Sequence, residues 1–186
     1  MRLRPPSQAP VVELVDVYGQ PIALGTGKPV LLSFFRDAAC PFCNMRIFEL
    51  TWRYEGFAKH GLDVVAVFAS TPEEVRRFVM KRPRPFRVAA EPARLAYETY
   101  GVESSFAGKL KAIVFRFGTL LRGMRLVGLA GLKTNNVMPA DFLIDDKGHI
   151  VEAYYGRDAG DRIPFERVES FLAGRAVGSG LRAGAG

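Results

Sequence analysis

The chain has 186 residues, 48% hydrophobic and 24% charged, with a formal net charge of +7. That length buries a full core without disulfide staples, and no apolar run approaches the length of a membrane span, so composition points to one soluble domain. Residues 1–10 open with Met1-Arg2-Leu3-Arg4-Pro5-Pro6, basic but followed by no apolar h-region. A flexible N-terminus, no secretory signal and a cytoplasmic location are therefore expected. In that compartment an isolated structural disulfide is unexpected, and two neighbouring cysteines point to catalysis.

In chain order, Val11–Tyr18 and Ile22–Leu24 flank a turn at Gly19 and predict an N-terminal β-hairpin. Val30-Leu31-Leu32-Ser33-Phe34-Phe35 is a continuous apolar run of strand length. The chain's two cysteines follow as Cys40-Pro41-Phe42-Cys43. Pro41 suits the first position of a helix, where its missing N–H leaves nothing unbonded. Cys43, Ile47, Leu50, Tyr54 and Phe57 then recur at helical spacing as one inward-facing stripe, with Trp52 also expected in the core.

A C-x-x-C pair at a strand-to-helix junction predicts a thioredoxin-like redox site. Cys40, at the helix tip, is expected to be exposed, its thiolate stabilised by free N–H groups and the helix dipole, and so to be the nucleophile. Cys43, one turn deeper, is the expected resolving thiol. Arg36 and Arg46 flank the pair and are candidates for stabilising a thiolate. A metal site would need about four ligands, and beyond these cysteines the chain offers only His60 and His149 in no ligand spacing, so neither metal nor other cofactor is expected.

Leu62–Ala69 predicts the next strand. Ser70-Thr71-Pro72-Glu73-Glu74 carries an S-x-x-E capping pattern and starts a helix that Pro83 and Pro85 end. Phe86–Ala90 is a short strand, Glu91-Pro92 opens a helix that Gly101 closes, and Ala140–Ile144 and Ile150–Tyr155 form a hairpin around Asp145-Asp146-Lys147-Gly148. The last helix has Phe165, Val168, Phe171 and Leu172 inside and Gly174 as its stop, leaving 174–186 as a flexible tail. The sum is an α/β fold, a central mixed sheet with helices on both faces, over residues 11–173.

Element order, Cys40-Pro41-Phe42-Cys43 after a strand and Val137-Met138-Pro139 entering Ala140–Ile144 resemble the thioredoxin fold, specifically its peroxiredoxin-like (AhpC/TSA, redoxin) branch. Leu14–Leu24 is similar to the redoxin N-terminal hairpin. Tyr100-Gly101-Val102 resembles a "YGV" helix end, and Phe142–Gly148 an "F-I-I-D-x-x-G" hairpin. The resemblance implies Cys40 as nucleophile, Cys43 as resolving cysteine, Pro41 and Phe42 as active-site support, and Pro139 as a cis-proline that presents the Met138 backbone to an extended substrate. It implies as partners a protein or low-molecular-weight disulfide, or a peroxide, and an external thiol reductant.

The chain departs from that family where peroxide chemistry needs it. Asp37 stands where peroxiredoxins have a Thr or Ser three residues before the cysteine, and Ser33 where they have a proline. Phe34 replaces the buried carboxylate of thioredoxins. A carboxylate at Asp37 would repel a thiolate unless paired, with Arg36 the nearest cation. These departures favour thiol–disulfide oxidoreductase activity over thiol-dependent peroxidase activity.

Residues 106–133 form an inserted basic segment. Phe106, Leu110, Ile113, Val114, Phe117, Leu120, Leu121 and Met124 make an apolar stripe flanked by Lys109, Lys111, Arg116, Arg122 and Arg125, with no acidic residue between Glu103 and Asp141. The expectation is that the stripe packs on the sheet or on a homodimer mate while the basic stems reach outward. The alternative is a redox-sensing or binding module in which this helix engages an acidic partner or a membrane surface. No nucleic-acid motif accompanies the charge, so no nucleic-acid partner is expected.

Overall fold

A computed structural model describes residues 1–25, 27–128 and 134–183 of the protein. Its strands are β1 (Ser7–Gln8), β2 (Leu14–Val15), β3 (Pro21–Ile22), β4 (Val30–Phe35), β5 (Asp63–Phe68), β6 (Arg87–Ala90), β7 (Ala140–Ile144) and β8 (His149–Tyr155). Its helices are α1 (Pro41–Lys59), α2 (Pro72–Phe78), α3 (Leu95–Thr99), α4 (Phe106–Phe115), α5 (Phe117–Val127) and α6 (Phe165–Ala183).

Six strands form one sheet in the order β1-β8-β7-β4-β5-β6, and β2 and β3 form a separate hairpin. β4, β5 and β6 are parallel, while β7 joins β4 antiparallel, so the sheet is mixed as the sequence predicts. β4 lies at the centre, buried along its whole length, which is why its sequence is a continuous apolar run. Its side chains alternate between two cores. Leu31 and Phe35 pack with Ile47 and Leu50 of α1 and with Val168 and Leu172 of α6. Leu32 and Phe34 pack on the other face with Ala96 and Tyr97 of α3, and with Tyr100. Beneath the candidate site the Tyr97 hydroxyl lies 2.6 Å from the Phe35 carbonyl and 2.8 Å from that of Val67, clamping the ends of β4 and β5.

Several expectations need correcting. The N-terminus is tied down: Ser7 and Gln8 pair with β8, Arg2 pairs with Glu103 at 2.9 Å, and the Leu3 N–H donates to the Tyr155 hydroxyl. The capping box at α2 is Thr71 with Glu74, one residue beyond the predicted pair. Ser70 instead accepts the Ala38 N–H at 3.0 Å, bracing the loop before the cysteines. α3 starts at Leu95, where the Glu91 carboxylate accepts the N–H groups of Leu95 and Ala96. α6 continues past Gly174 to Ala183, and Arg175 beyond the predicted stop pairs with Asp146 at 3.2 Å. Trp52 is 73% exposed, on the outer side of α1.

The inserted segment is two helices rather than one, separated at Arg116 (φ −120°, ψ 33°). Their inner face, Ala112, Leu120, Gly123 and Val127, turns to the protein, and α5 packs along α1 instead of on the sheet. Residues 129–133, the end of the predicted segment, lie outside the described residues. Among the described residues no helix is long and apolar enough to cross a membrane.

Candidate active site

Cys40 is the N-cap of α1 and Pro41 its first residue, as the strand-to-helix reading predicts. The loop from Phe35 to Cys40 is fixed by side chains from three other segments, Ser70, Asn44 and Asn135. Asn44 donates to the carbonyls of Ala38 and Cys40 at 2.7 and 3.1 Å, and Asn135 donates to that of Arg36 at 3.0 Å. The Asp37 carboxylate accepts the N–H groups of Ala39 and Asn135. Burial raises the Asp37 pKa while those N–H bonds pull it back. Asp37 thus serves as a local backbone cap, and its oxygens are engaged by the loop.

Cys40 is fully buried, against the expectation of an exposed tip, and so is Cys43. The cover comes from far along the chain. Gly123 of α5 lies so close to the head of α1 that a Cβ there would meet the Pro41 carbonyl oxygen at 2.4 Å. Phe42 is buried against the loop between β8 and α6, where a Cβ on Gly160 would lie 3.1 Å from its ring and 2.7 Å from the Arg116 side chain. Arg116 fastens the α4–α5 junction to the same loop through Asp158 at 2.9 Å and Asp161 at 3.7 Å. A long-range contact of this kind leaves no trace in local periodicity.

Lifting that cover is testable. Gly123→Val forces a side chain into backbone atoms that cannot rotate away, and overpacking of this kind costs about 1–3 kcal/mol. Because the clash falls between α5 and α1, the expected outcome is a displaced α5 and faster alkylation of the Cys40–Cys43 thiols, by on the order of tenfold, with the sheet intact by circular dichroism. Unchanged alkylation in a folded variant would show that α5 does not limit access.

Both cysteines are free, and each stands close enough to shift the ionisation of the other. Two guanidinium groups act on them. Arg36, 1% exposed, donates Nη1 to Cys40 Sγ at 3.5 Å, Nε to the Val137 carbonyl at 2.7 Å and Nη2 to the Asn135 carbonyl. Arg162, which the sequence reading missed, donates to the Phe34 carbonyl at 2.9 Å, pairs with Asp141 at 3.3 Å and lies over the Phe35 ring. Arg46, expected beside the cysteines, instead stacks over Phe165 at 3.6 Å and donates to the Ile163 carbonyl. Burial lowers the Arg46 pKa to about 10, and its role is to pack α1 against α6.

Burial pushes Cys40 well above the ordinary thiol value, and the neighbouring Cys43 thiol acts the same way. Burial pushes Cys43 upward too, but the neighbouring Cys40 thiol and the charges of Arg162 and Arg36 outweigh it and bring Cys43 down to about 6. The depression expected for Cys40 therefore falls on its neighbour. Taken as a unit, the pair loses its first proton easily and holds its second, because a second negative charge would sit beside the first in a water-poor site.

Met138 and Pro139 are buried at the entrance to β7, and the Arg36–Val137 bond ties that entrance to the cysteine loop. The Met138–Pro139 bond is trans, since the cis X-Pro bond among the described residues is Pro5–Pro6. The Met138 N–H donates to the Glu103 carbonyl, so it is engaged by the chain itself. The buried carboxylate missing at Phe34 is supplied by the next strand: Asp141 of β7 sits opposite Ser33 and accepts from Arg162 and from the Ile163 N–H at 3.0 Å. Among the described residues no cluster of His, Cys, Asp or Glu could hold a metal ion.

Chloroplastic peroxiredoxin Q of Sedum lineare is 29% identical over 106 residues, 56% of this chain and 57% of that protein, so the chain spans little more than half of that relative. Peroxiredoxin Bcp of Escherichia coli (strain K12) is 29% identical over 117 residues, 61% of this chain and 75% of its own length. Peroxidoxin BcpB from Mycobacterium tuberculosis superposes with a TM-score of 0.64 at 17% identity, over 90% of this chain and 93% of that one, which establishes the thioredoxin-like fold. The model of the AhpC/TSA family matches residues 5–153. Since that match runs from the N-terminal strand into the last strand of the sheet and takes in both cysteines, the chain belongs to the AhpC/TSA family.

Proposed function

We propose that the protein is a thiol–disulfide oxidoreductase that cycles Cys40 and Cys43 between dithiol and disulfide. One observation carries the reading: two free, buried thiols stand one turn apart at the head of α1 under the charges of Arg36 and Arg162. In the reduced pair one proton and one negative charge are shared between the two sulfurs. Cys40 attacks one sulfur of a substrate disulfide, leaving that proton on Cys43, and the substrate S–S bond breaks to release one thiolate. That thiolate takes the proton from Cys43. Cys43 then attacks Cys40, expelling the second substrate thiolate. Two electrons pass to the substrate, and an external thiol reductant restores the dithiol. Such a cycle fits a reducing compartment such as the cytoplasm.

Family membership and the names of the relatives favour a second reading, thiol-dependent peroxide reduction. There Cys40 would attack the peroxide O–O bond, forming a sulfenic acid and releasing an alcohol or water, and Cys43 would displace water from it. The missing hydroxyl at Asp37 ranks this reading second. Turnover measured with a dithiol reductant separates the two: reduction of insulin disulfides without peroxide consumption is expected, and Cys40→Ser should abolish it. Peroxide consumption lost in Cys40→Ser would select the second reading. Full activity in both Cys40→Ser and Cys43→Ser would end both.

A further inference from the structure

The outer surface of α4 and α5 has no role in the dithiol chemistry. Phe106, Leu110, Val114, Phe115, Phe117 and Leu121 are exposed there, Phe115 at 78% and Phe106 at 69%. Phe106, Leu110 and Val114 recur at steps of four on α4, as do Phe117 and Leu121 on α5, so each helix presents an apolar row. Large apolar side chains left exposed together on one segment mark an interaction site. Lys111, Arg122 and Arg125 are exposed beside those rows, and no acidic residue lies between Glu103 and Asp141. Arg116 is engaged by Asp158 and Asp161, so the outward charge comes from the other cations.

We propose that α4 and α5 dock the protein on an anionic lipid bilayer, the apolar rows entering the headgroup boundary while Lys111, Arg122 and Arg125 meet lipid phosphates. An exposed aromatic and aliphatic face with a basic border and no carboxylates is what lies in such an interface. Charge decides against a second copy of this chain as the occupant. A two-fold interface would place the same basic patch against itself with no acidic residue in the segment to offset it. The inner face of the same α5 packs on Pro41, so docking places the Cys40–Cys43 pair about one helix diameter, ~10 Å, away from the lipid surface. The surface stands independently of the redox reading.

The test is co-sedimentation of the full chain with phosphatidylcholine vesicles and with vesicles containing phosphatidylglycerol, run beside sedimentation velocity without lipid. Binding is expected to the phosphatidylglycerol vesicles and not to neutral ones. Each basic residue near an anionic surface contributes about fivefold to partitioning, so the triple variant Lys111→Glu, Arg122→Glu, Arg125→Glu should bind on the order of 100-fold more weakly. Phe115→Ser with Phe117→Ser should also weaken binding, by on the order of tenfold. All five positions are exposed, and an unchanged circular dichroism spectrum and thiol titre show that the variants fold. No binding to anionic vesicles, equal binding to neutral ones, or binding that both variants leave intact would overturn the proposal. A concentration-dependent dimer that Phe115→Ser dissolves, without lipid binding, would overturn it in favour of a second copy.

Discussion

Arg36→Met should remove most activity at neutral pH and a large part of the stability. Arg36 is 1% exposed and holds together three parts of the site: the loop that bears it, Cys40, and the segment from Asn135 to Val137. Methionine fills similar space but donates nothing, leaving the buried carbonyl of Val137 and the half-buried one of Asn135 without their partner. At about 1–3 kcal/mol for an orphaned buried acceptor and less for the half-buried one, the loss is on the order of 2–4 kcal/mol, to be read from denaturant unfolding. Loss of the cation also disfavours the thiolate, so the first ionisation of the pair should move upward. Arg36→Lys keeps the charge but not the fork of donors, and should recover part of the ionisation shift and little of the stability. Wild-type stability in Arg36→Met would show that the Asn135–Val137 segment is held by other contacts.

The second large effect is expected at Arg162 and Asp141, whose side chains are 6% and 0% exposed. Arg162→Leu strands the Asp141 carboxylate in the core, and breaking a buried pair in this way costs about 3–5 kcal/mol. It also removes a cation that lowers Cys43. In the wild type, thiolate absorbance should rise with a midpoint of about 6. The sign is that of an acid whose charged form is favoured: below the midpoint the pair carries both protons and reacts slowly, and above it one thiolate is present. From pH 5 to 7 the ionised fraction should grow about tenfold. Arg162→Leu should move that midpoint upward. The double variant Arg162→Leu, Asp141→Asn removes the stranded charge and should regain stability, while the midpoint stays raised. If the midpoint returned with the stability, Arg162 would act only by holding the fold.

What the sequence reveals follows from how local each signal is. β4, the capping proline and the buried stripe of α1 are legible because each is a continuous run or a fixed period whose cause lies within a few residues. Trp52 breaks the pattern because it falls off the stripe, on the face where α1 meets solvent. The site is half legible. Cys40-Pro41-Phe42-Cys43 and Arg36 lie in one stretch, whereas Arg162, Asn135 and Asp141 arrive through sheet pairing and two distant loops. Arg46 and Arg162 show the difference: Arg46 is adjacent in sequence but stacks on Phe165, while Arg162 reaches the core through its bond to the Phe34 carbonyl.

The burial of Cys40 has the same origin. An N-cap thiol is exposed on an isolated helix, and free backbone N–H groups with the helix dipole would lower its pKa. Here α5 packs on the head of that helix and Cys40 is buried, so burial opposes the helix terminus, and the easy first ionisation belongs to the pair. The glycine that permits the close approach, Gly123, lies 80 residues beyond Cys43 and looks in the sequence like a flaw in an amphipathic helix.

The dithiol cycle is most directly tested by oxidising the reduced protein with one equivalent of a disulfide and determining the mass of the product and its linked peptides. A monomer lighter by two hydrogens, with Cys40 joined to Cys43, is the predicted result. A stable adduct on either cysteine, a bridge between two chains, or an unchanged mass would contradict it.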